Sequence, residues 1–308
     1  MMTYRAYGRV IASDRPLPEL EEESTTRTPH LTVTWNARLP FAADAQWSTL
    51  WRFSTGEPWV TTSRLNGARC LRFGRFADCV LSERRIDVVG RGHASDATLR
   101  HLVLDQALPL ALAAGGALVV HASAVAAGSR AILLAGNAGT GKSTLAALLS
   151  REGLQVLADD GVVLERRAPD IRVVPSYPGL RVYRDSAAAA GLDIGGSNDV
   201  AEYTRKLRVM GSRVSSPSAD QSPMLAAIYV LSRGENTVTF EKLSRRDATM
   251  EVLAHAYRID PGDRAALRAQ LDCVAAMTPP VWRVSYPRDL ARAAGVASSI
   301  AAHAAAIA

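Results

Sequence analysis

Lysine is almost missing from this chain of 308 residues. Of its 36 basic side chains, only Lys142, Lys206 and Lys242 are lysines, and all the others are arginines. We attribute the overall bias to a GC-rich, alanine-heavy coding sequence that uses arginine wherever a positive charge suffices. The few lysines are therefore informative, because an ammonium and a guanidinium are not interchangeable where a site requires a compact charge.

Cysteine is scarce as well. Cys70, Cys79 and Cys273 are odd in number and widely spaced, and none of them belongs to a C-x-x-C motif. The sequence therefore indicates neither a disulfide framework nor a zinc site. We interpret the three thiols as small buried hydrophobic groups in a reducing cytosol.

Long apolar segments and targeting signals are also missing. The longest apolar run, from Leu108 to Val120, is interrupted by Gly115 and Gly116, and it falls short of the ~18 residues of a membrane span. No basic segment leads into an apolar stretch near the N-terminus, so we expect no signal peptide and a cytoplasmic protein. We also expect no membrane partner.

A net charge of +6 permits binding to polyanions but does not require it. The arginines are scattered rather than clustered with aromatic residues, and no nucleic-acid-binding motif occurs, so we expect no nucleic-acid partner. The phosphates of a small ligand are an equally good use for arginine. With 48% hydrophobic and 21% charged residues, the chain is typical of a globular protein, and its length predicts about two domains.

The pattern of the sequence changes near residue 95. Residues 1–95 contain short alternating runs such as His30–Trp35, which predict strands and a β-rich N-terminal domain. Ser95 is a suitable N-cap for a helix over residues 96–114. Beyond Ser95, apolar strands alternate with helices, which predicts an α/β domain over residues 96–308.

Three details of this second region are also predicted. The segments Ala117–His121 and Ser123–Ala126 are expected to form strands around a tight turn or a bulge. Residues 192–220 are rich in polar residues and glycine, which predicts a mobile basic loop. Leu225–Ser232 and Asn236–Lys242 are expected to form a pair of strands.

The strongest motif is a complete G-x-x-x-x-G-K-S sequence at residues 136–143, between a predicted apolar strand and a predicted amphipathic helix. In such a loop the backbone N–H groups and the helix N-terminus bind phosphate. Lys142 reaches the β- and γ-phosphates of a nucleotide, and the Ser143 hydroxyl can hold Mg²⁺. The predicted nucleotide-binding residues are Gly136, Asn137, Ala138, Gly139, Thr140, Gly141, Lys142, Ser143 and Thr144.

A pair of acidic residues follows the next predicted strand after the phosphate-binding loop and its helix. Asp159 and Asp160 come directly after a predicted apolar strand, 17 and 18 residues beyond Lys142. At the carboxyl end of a strand, both side chains can border a ligand crevice. One carboxylate on Mg²⁺ and a second that accepts a proton are what phosphoryl transfer to a hydroxyl requires.

His121 is a further candidate, and it follows the apolar run Leu118–Val120. A single histidine after apolar residues is more often a packed core residue than a functional one. Its position before the phosphate-binding loop leaves both interpretations open.

Together, His121, residues 136–143 and the Asp159–Asp160 pair resemble the HPr kinase/phosphorylase family, whose C-terminal domain carries these features at similar spacings. The resemblance covers about residues 117–185. It implies an α/β fold with an HPr-kinase-like P-loop domain at the C-terminal side of a smaller β-rich domain. It also implies a phosphotransferase that uses ATP and Mg²⁺.

Softer motifs resemble the HPr-kinase-like serine kinases found with lasso-peptide biosynthesis. They are Tyr4–Gly8, Val120–Val125, Pro175–Arg181 and Trp282–Leu290. This resemblance implies ATP-dependent phosphorylation of a serine on a peptide or small protein, typically the C-terminal serine of the lasso precursor. Two features of HPr kinases are missing here: the stretch Ser176–Arg181 has no carboxylate for the metal, and the C-terminal docking helix is not recognisable. The HPr carrier as substrate is therefore not implied, and the oligomeric state stays open.

The family resemblance also suggests roles for individual residues. Asp159 accepts the proton of the attacking serine, while Ser143 and Asp160 hold Mg²⁺, although the roles of the two aspartates can be reversed. His121 orients or tunes a carboxylate, and Lys142 neutralises developing charge. Candidates for holding the transferred phosphate or a peptide carboxylate are Arg181, Arg205, Lys206 and Arg208.

Two other functions stay compatible with the sequence. One is an HPr kinase/phosphorylase-like enzyme that acts on a carrier protein or a small metabolite. The other is a non-catalytic nucleotide-binding regulator. A transport ATPase is disfavoured because no LSGGQ-like signature occurs.

Overall fold

Within residues 1–24, 27–35, 46–53, 55–65, 67–197, 199–210, 222–258, 260, 263–277 and 279–307, the computed structural model contains three β-sheets and seven α-helices. The predicted mixed α/β character is confirmed. No helix in these ranges is both long and apolar enough to cross a membrane.

The first sheet is built from residues 2–90 in the order β3-β1-β2-β4-β9-β8-β7-β6-β5. Its strands are β1 Met2–Ala6, β2 Arg9–Ser13, β3 Glu21–Glu22, β4 Leu31–Trp35, β5 Ser48–Arg52, β6 Pro58–Leu65, β7 Ala68–Phe73, β8 Ala77–Ser82 and β9 Arg85–Gly90. Along β9, Ile86 and Val88 are buried while their neighbours are more exposed. This alternation is typical of a sheet with one face in the core.

A helical segment packs against this sheet. Helices α1 (Asp96–Leu102) and α2 (Leu108–Ala114) are joined by a π-helical turn, Val103–Ala107. Ser95 caps α1 as predicted, since its hydroxyl oxygen accepts a hydrogen bond from the backbone N–H of Thr98 at 3.3 Å. The core between sheet and helices also includes Val119 from the second region. The domain boundary near residue 95 stays a prediction.

The other strands form an eight-stranded and a three-stranded sheet. The larger sheet contains β10 Leu118–Ala127, β11 Arg130–Ala135, β12 Gln155–Ala158, β13 Gly161–Arg167, β14 Asp170–Val174, β18 Met224–Arg233, β19 Thr239–Lys242 and β20 Val281–Tyr286. The smaller sheet contains β15 Leu180–Val182, β16 Asp199–Ala201 and β17 Thr204–Val209. The remaining helices are α3 Lys142–Arg151, α4 Arg184–Ala189, α5 Arg245–Ala254, α6 Arg264–Ala275 and α7 Ala293–Ala306.

Strand β11 leads into the phosphate-binding loop. It pairs antiparallel with β10 and parallel with β18. Ile132 and Leu134 pack in the core with α3 and α7, whereas Leu133 packs in the core with α5 and α6. Side chains of a strand alternate between its two faces, so helices cover both faces of the sheet around β11.

Two predicted strand arrangements differ from the structure. Residues 118–127 form the single strand β10, so the tight turn is wrong, whereas the alternative of a bulge agrees with a register shift between Ala124 and Val125 in the pairing with β12. Strands β18 and β19 are not neighbours, because β20 lies between them and pairs with both. A strand from elsewhere in the chain can insert between two consecutive strands, and the local pattern does not reveal it.

The predicted mobile loop over residues 192–220 is also corrected by the structure. Its described part contains β16 and β17, and β17 pairs with β15. Leu207 and Val209 are buried while Arg205 is exposed, which is the alternation of a half-buried strand. In the sequence, the basic residues between the apolar positions make this segment resemble a polar loop rather than a strand. Arg213 and the rest of residues 211–221 lie outside the described residues.

Leu207→Ala tests whether β17 is a packed strand. Leu207 is fully buried in the core beside α3 and α7, so we expect the free energy of unfolding to fall by about 2–5 kcal/mol. Arg205→Ala, on the exposed side of the same strand, is the matched control, with an expected change within about 0.5 kcal/mol. Urea denaturation measures both variants. A Leu207→Ala protein as stable as the control would contradict the buried strand.

Candidate active site

A cavity of about 470 Å³ opens where β11 and β12 end. Residues 138–145, which follow β11, form one wall, and Asp160, which follows β12, lies on another. His121, Lys206 and Tyr286 also line the cavity. Crevices at the carboxyl ends of strands are the usual ligand sites of α/β sheets.

The glycines of residues 136–141 allow the main chain to wrap tightly. Gly136, Gly139 and Gly141 have φ values of 148°, 76° and 100°, in the region that glycine tolerates best. A Cβ atom on Gly141 would lie 2.9 Å from Tyr286 Oη, too close for an undistorted contact. The loop conformation therefore requires glycine here.

The Lys142 ammonium is folded into this loop. Its Nζ donates hydrogen bonds to the carbonyl oxygens of Gly136, at 2.7 Å, and Asn137, at 3.1 Å. Burial, with a contribution from the positive charge of Lys206, lowers the pKa of Lys142 to about 8. A desolvated ammonium that is held by carbonyl oxygens is prepared to bind an anion.

Two side chains from the end of β20 support the same loop. Tyr286 Oη donates to the carbonyl oxygen of Thr140, and Arg288 donates to that of Gly139. Sequence reasoning missed both residues. In the sequence both residues belong to the softer motif Trp282–Leu290, but their contact with the loop becomes evident only when β20 is placed near it.

The Asp159 carboxylate joins three segments of the chain. It is fully buried. One oxygen accepts hydrogen bonds from Ser123 Oγ at 2.5 Å and Ser143 Oγ at 2.9 Å. The other oxygen accepts from the backbone N–H of Arg181 at 2.9 Å. With its oxygens occupied and no exposed surface, this carboxylate is well placed to fix Ser143 and poorly placed to meet an external hydroxyl.

The neighbouring residue, Asp160, lines the cavity instead. Its φ of 70° lies in the left-handed region, which aspartate tolerates better than most side chains. Its backbone carbonyl accepts hydrogen bonds from the His121 ring at 3.0 Å and the Ala122 N–H at 3.3 Å. These contacts hold a conformation that points the two adjacent carboxylates into different surroundings.

The charge of Asp160 is maintained by nearby cations. Burial alone would raise the pKa of Asp160, but nearby positive charges, with Lys206 foremost, outweigh it and lower the pKa below its usual range. Lys206 responds in the opposite direction, and its pKa is raised chiefly by Asp160. Asp160 is therefore ionised at neutral pH and available as a hydrogen-bond acceptor.

His121 lies beside the aspartate pair but contacts main chain. Burial first, and then the charge of Lys142, lowers the pKa of His121 to about 4, so the ring is neutral at neutral pH. A carbonyl oxygen only accepts hydrogen bonds, so we assign the ring proton to Nδ1, which bonds to the Asp160 carbonyl. His121 thus supports the backbone of Asp160 rather than its carboxylate.

The four predicted ligand-holding cations occupy different places. Lys206 lines the cavity near Asp160. Arg205, the next residue on β17, is exposed and is not part of the cavity wall. Arg208 lies deeper, with its Nη2 3.8 Å from a carboxylate oxygen of Asp105.

Arg181 is fully buried, and its guanidinium is used inside the protein. Nε and Nη2 donate to Asp105, while Nη1 donates to the carbonyl oxygens of Asp159 and Gly179. Arg181 also lines the cavity, and its role in holding a ligand stays a prediction. The internal hydrogen bonds make Arg181 a support for Asp159, and they bring in Asp105, which sequence reasoning missed.

The cavity offers oxygen donors to a cation. Ser143 and Asp160, the predicted metal ligands, both line it, and the Ser143 hydroxyl bonds to Asp159. Among the residues that the structure describes, no group of three or more His, Cys, Asp and Glu side chains is arranged to hold a metal. Mg²⁺ in phosphate sites commonly takes one or two protein oxygens and completes its shell with phosphate and water. The residues present therefore fit a metal that arrives with a nucleotide.

Comparison with known proteins gives little further guidance. No family model matches the chain, and no curated protein matches it. Among the solved structures that match is "Structure of the Hpr(Ser) kinase/phosphatase from Coxiella burnetii", at 12% identity and a TM-score of 0.29. The match covers 60% of this chain and 95% of that chain. A TM-score this low carries no argument about fold or function.

Nucleotide affinity should depend on pH through Lys142. Its ammonium is the form that binds phosphate, and its pKa of about 8 means that this form is complete at lower pH and is lost above pH 8. We expect the Kd for MgADP to be nearly constant below about pH 7, to be about twofold higher at pH 8 and to rise by up to about tenfold per pH unit above that. Titration of a fluorescent ADP analogue measures this.

Lys142→Arg is the control for this measurement. A guanidinium stays charged over the whole range but does not match the cradle that now holds a slender ammonium. The variant should bind weakly, without the pH dependence above 8, and should be inactive. A wild-type Kd for MgADP that stays constant up to pH 9.5 would contradict the role of the Lys142 ammonium in binding phosphate.

Proposed function

We propose that the protein is an ATP-dependent phosphotransferase that phosphorylates a serine hydroxyl on a peptide. One observation carries the proposal: the serine of the phosphate-binding loop, Ser143, is bonded to Asp159, while Asp160 faces the same cavity as Lys142. Binding of a nucleotide alone would not need a second, cavity-facing carboxylate. Transfer to a hydroxyl needs one.

Residues 136–144 form the proposed site for the nucleotide phosphates. Helix α3 begins at Lys142, so the N–H groups of its first turn have no partners within the helix and are available to phosphate oxygens. Ser143 and an aspartate would hold Mg²⁺, which neutralises charge on the β- and γ-phosphates. Lys142, which now bonds to loop carbonyls, exchanges these partners for phosphate.

We assign the two aspartates in the reverse order to that implied by the family resemblance. Asp159 is fully buried and bonded to Ser143, so it sits on the metal side of the site. Asp160 lines the cavity as an ionised carboxylate, so it is the proposed proton acceptor. The geometry favours this order because only Asp160 has a face toward an incoming hydroxyl.

The proposed step is a direct transfer. The serine oxygen forms a bond to the γ-phosphorus, the bond from that phosphorus to the β–γ bridging oxygen breaks, and ADP leaves. The serine proton passes to Asp160. Lys142 and Lys206 flank this carboxylate and stabilise the negative charge on the transferred group. His121 keeps the Asp160 backbone in place.

The identity of the acceptor is supported by sequence resemblance rather than by geometry. The motifs shared with lasso-peptide precursor kinases favour the C-terminal serine of such a precursor. A carrier protein or a small metabolite would present the same hydroxyl chemistry to Asp160. A nucleotide-binding regulator would need neither Asp160 nor an acceptor.

Asp160→Asn and Asp159→Asn test the assignment as a pair. Asparagine keeps the shape of the side chain but loses its charge. We expect Asp160→Asn to lower kcat at least about 100-fold, because the proton acceptor is lost, with little change in MgATP affinity. Asp159→Asn should instead weaken the binding of MgATP. Kinetics with a Ser-terminated precursor peptide, together with calorimetric titration of MgATP, give both quantities.

The opposite pattern, in which Asp159→Asn lowers kcat without weakening MgATP binding and Asp160→Asn does not lower kcat, would contradict the assignment.

The acceptor is tested with the same peptide and its Ser→Ala form, using mass spectrometry of the product. Phosphate on the serine peptide alone is the expected result. ATP binding without any phosphorylated product would favour the regulator.

A further inference from the structure

A buried charge cluster lies directly behind the cavity. Asp105 is fully buried on the π-helical turn between α1 and α2. Its carboxylate is contacted by Arg181, by the Tyr177 hydroxyl and by the His101 ring. A second cation, Arg208, lies 3.8 Å from it. A carboxylate buried in a core between a sheet and helices is costly, so its presence calls for a reason beyond packing.

The π-helical turn gives a first indication of that reason. Regular α-helix surrounds the turn on both sides, from Asp96 to Leu102 and from Leu108 to Ala114. Such single-turn insertions are rare and frequently mark functional sites. Here the turn carries Asp105, which pairs with a residue 76 positions further along the chain.

Arg181 connects Asp105 to the cavity. Its guanidinium is held by Asp105, with Nε at 3.3 Å from one carboxylate oxygen. The same residue holds Asp159 twice: its backbone N–H donates to the Asp159 carboxylate at 2.9 Å, and its Nη1 donates to the Asp159 carbonyl at 3.2 Å. The position of Asp159 is therefore set by Arg181, and the position of Arg181 by Asp105.

The connection continues to the phosphate-binding loop. Asp159 accepts the hydrogen bond of Ser143 at 2.9 Å. Tyr177 supports the Asp105 side of these contacts. The guanidinium groups of Arg181 and Arg208 lie over its ring, at 4.6 and 5.2 Å from the ring centroid. Each link from Asp105 to Ser143 is a direct hydrogen bond between buried or half-buried groups.

We propose that Asp105 is a positioning residue for the metal side of the site: by holding Arg181, it holds Asp159 against Ser143. This inference rests on the proposed function, in which Ser143 and Asp159 serve the Mg²⁺ that accompanies the nucleotide. Without the Asp105 charge, Arg181 loses its main partner and its guanidinium is free to turn toward Asp159 or Asp160. Mg²⁺-dependent binding then suffers, while the backbone cradle for the phosphates is unchanged.

The experiment compares ADP binding with and without Mg²⁺ by calorimetry in the full-length protein. The quantity measured is the ratio of the two Kd values, which needs no knowledge of the acceptor. We expect Mg²⁺ to tighten ADP binding in the wild type and Asp105→Asn to reduce this enhancement at least about fivefold. The Kd without Mg²⁺ should change little.

Asp78→Asn is the matched control. Asp78 is also a buried carboxylate that faces two arginines, Arg72 at 2.8 Å and Arg91 at 3.7 Å, but it lies on β8 of the N-terminal sheet. We expect Asp78→Asn to lower thermal stability, as we also expect of Asp105→Asn, and to keep the Mg²⁺ enhancement of ADP binding at its wild-type value. Tyr177→Phe removes one hydrogen bond to Asp105 without changing charge, and it provides a milder version of the same loss should Asp105→Asn not fold.

An Mg²⁺ enhancement that is unchanged in Asp105→Asn or, where that variant does not fold, in Tyr177→Phe would overturn the proposal. A loss of equal size in Asp78→Asn would also overturn it, because the effect would then follow general destabilisation. Absence of any Mg²⁺ enhancement in the wild type would do the same. Failure of the proposed function is read separately, from the absence of a phosphorylated product in the wild type.

Discussion

The site depends on the buried carboxylate of Asp159. Its two oxygens bind Ser123 from β10, Ser143 from the phosphate-binding loop and the backbone of Arg181 from β15. Three segments that are distant in the chain therefore meet at one charged group without access to water. A buried ion is tolerated only when its hydrogen bonds are complete, so the geometry around Asp159 is strongly determined, and the loop serine is held with it.

This constraint also separates the roles of two identical neighbours. Asp159 and Asp160 follow the same strand, yet the left-handed backbone at Asp160 turns its side chain into the cavity. There it meets the two lysines of the site, one of which, Lys206, is the chief reason that its pKa is low. The scarcity of lysine in the sequence thus corresponds to a structural feature: two of the three lysines line this cavity.

Local features of the sequence were predictable, and long-range pairings were not. The order of strand, glycine-rich loop and helix around residues 136–151, and the cap at Ser95, follow from patterns within about ten residues. The pairing of Asp105 with Arg181 and the insertion of β20 beside β18 depend on elements far apart in the chain. Strand β17 was missed because arginine and lysine alternate with its buried residues, which resembles a polar loop. Arg181 donates hydrogen bonds inside the protein to Asp105 and to the carbonyl oxygens of Asp159 and Gly179, and residue type alone did not reveal these contacts.

A crystal structure of the protein with Mg²⁺ and a non-hydrolysable ATP analogue tests the proposed site most directly. We expect phosphates on the N–H groups of residues 139–143 and on Lys142, with the metal at the Ser143 oxygen and the Asp160 carboxylate facing the terminal phosphate. A complex in which the nucleotide lies outside this cavity would contradict it. So would one in which Asp159 leaves Ser143 to face the terminal phosphate in place of Asp160.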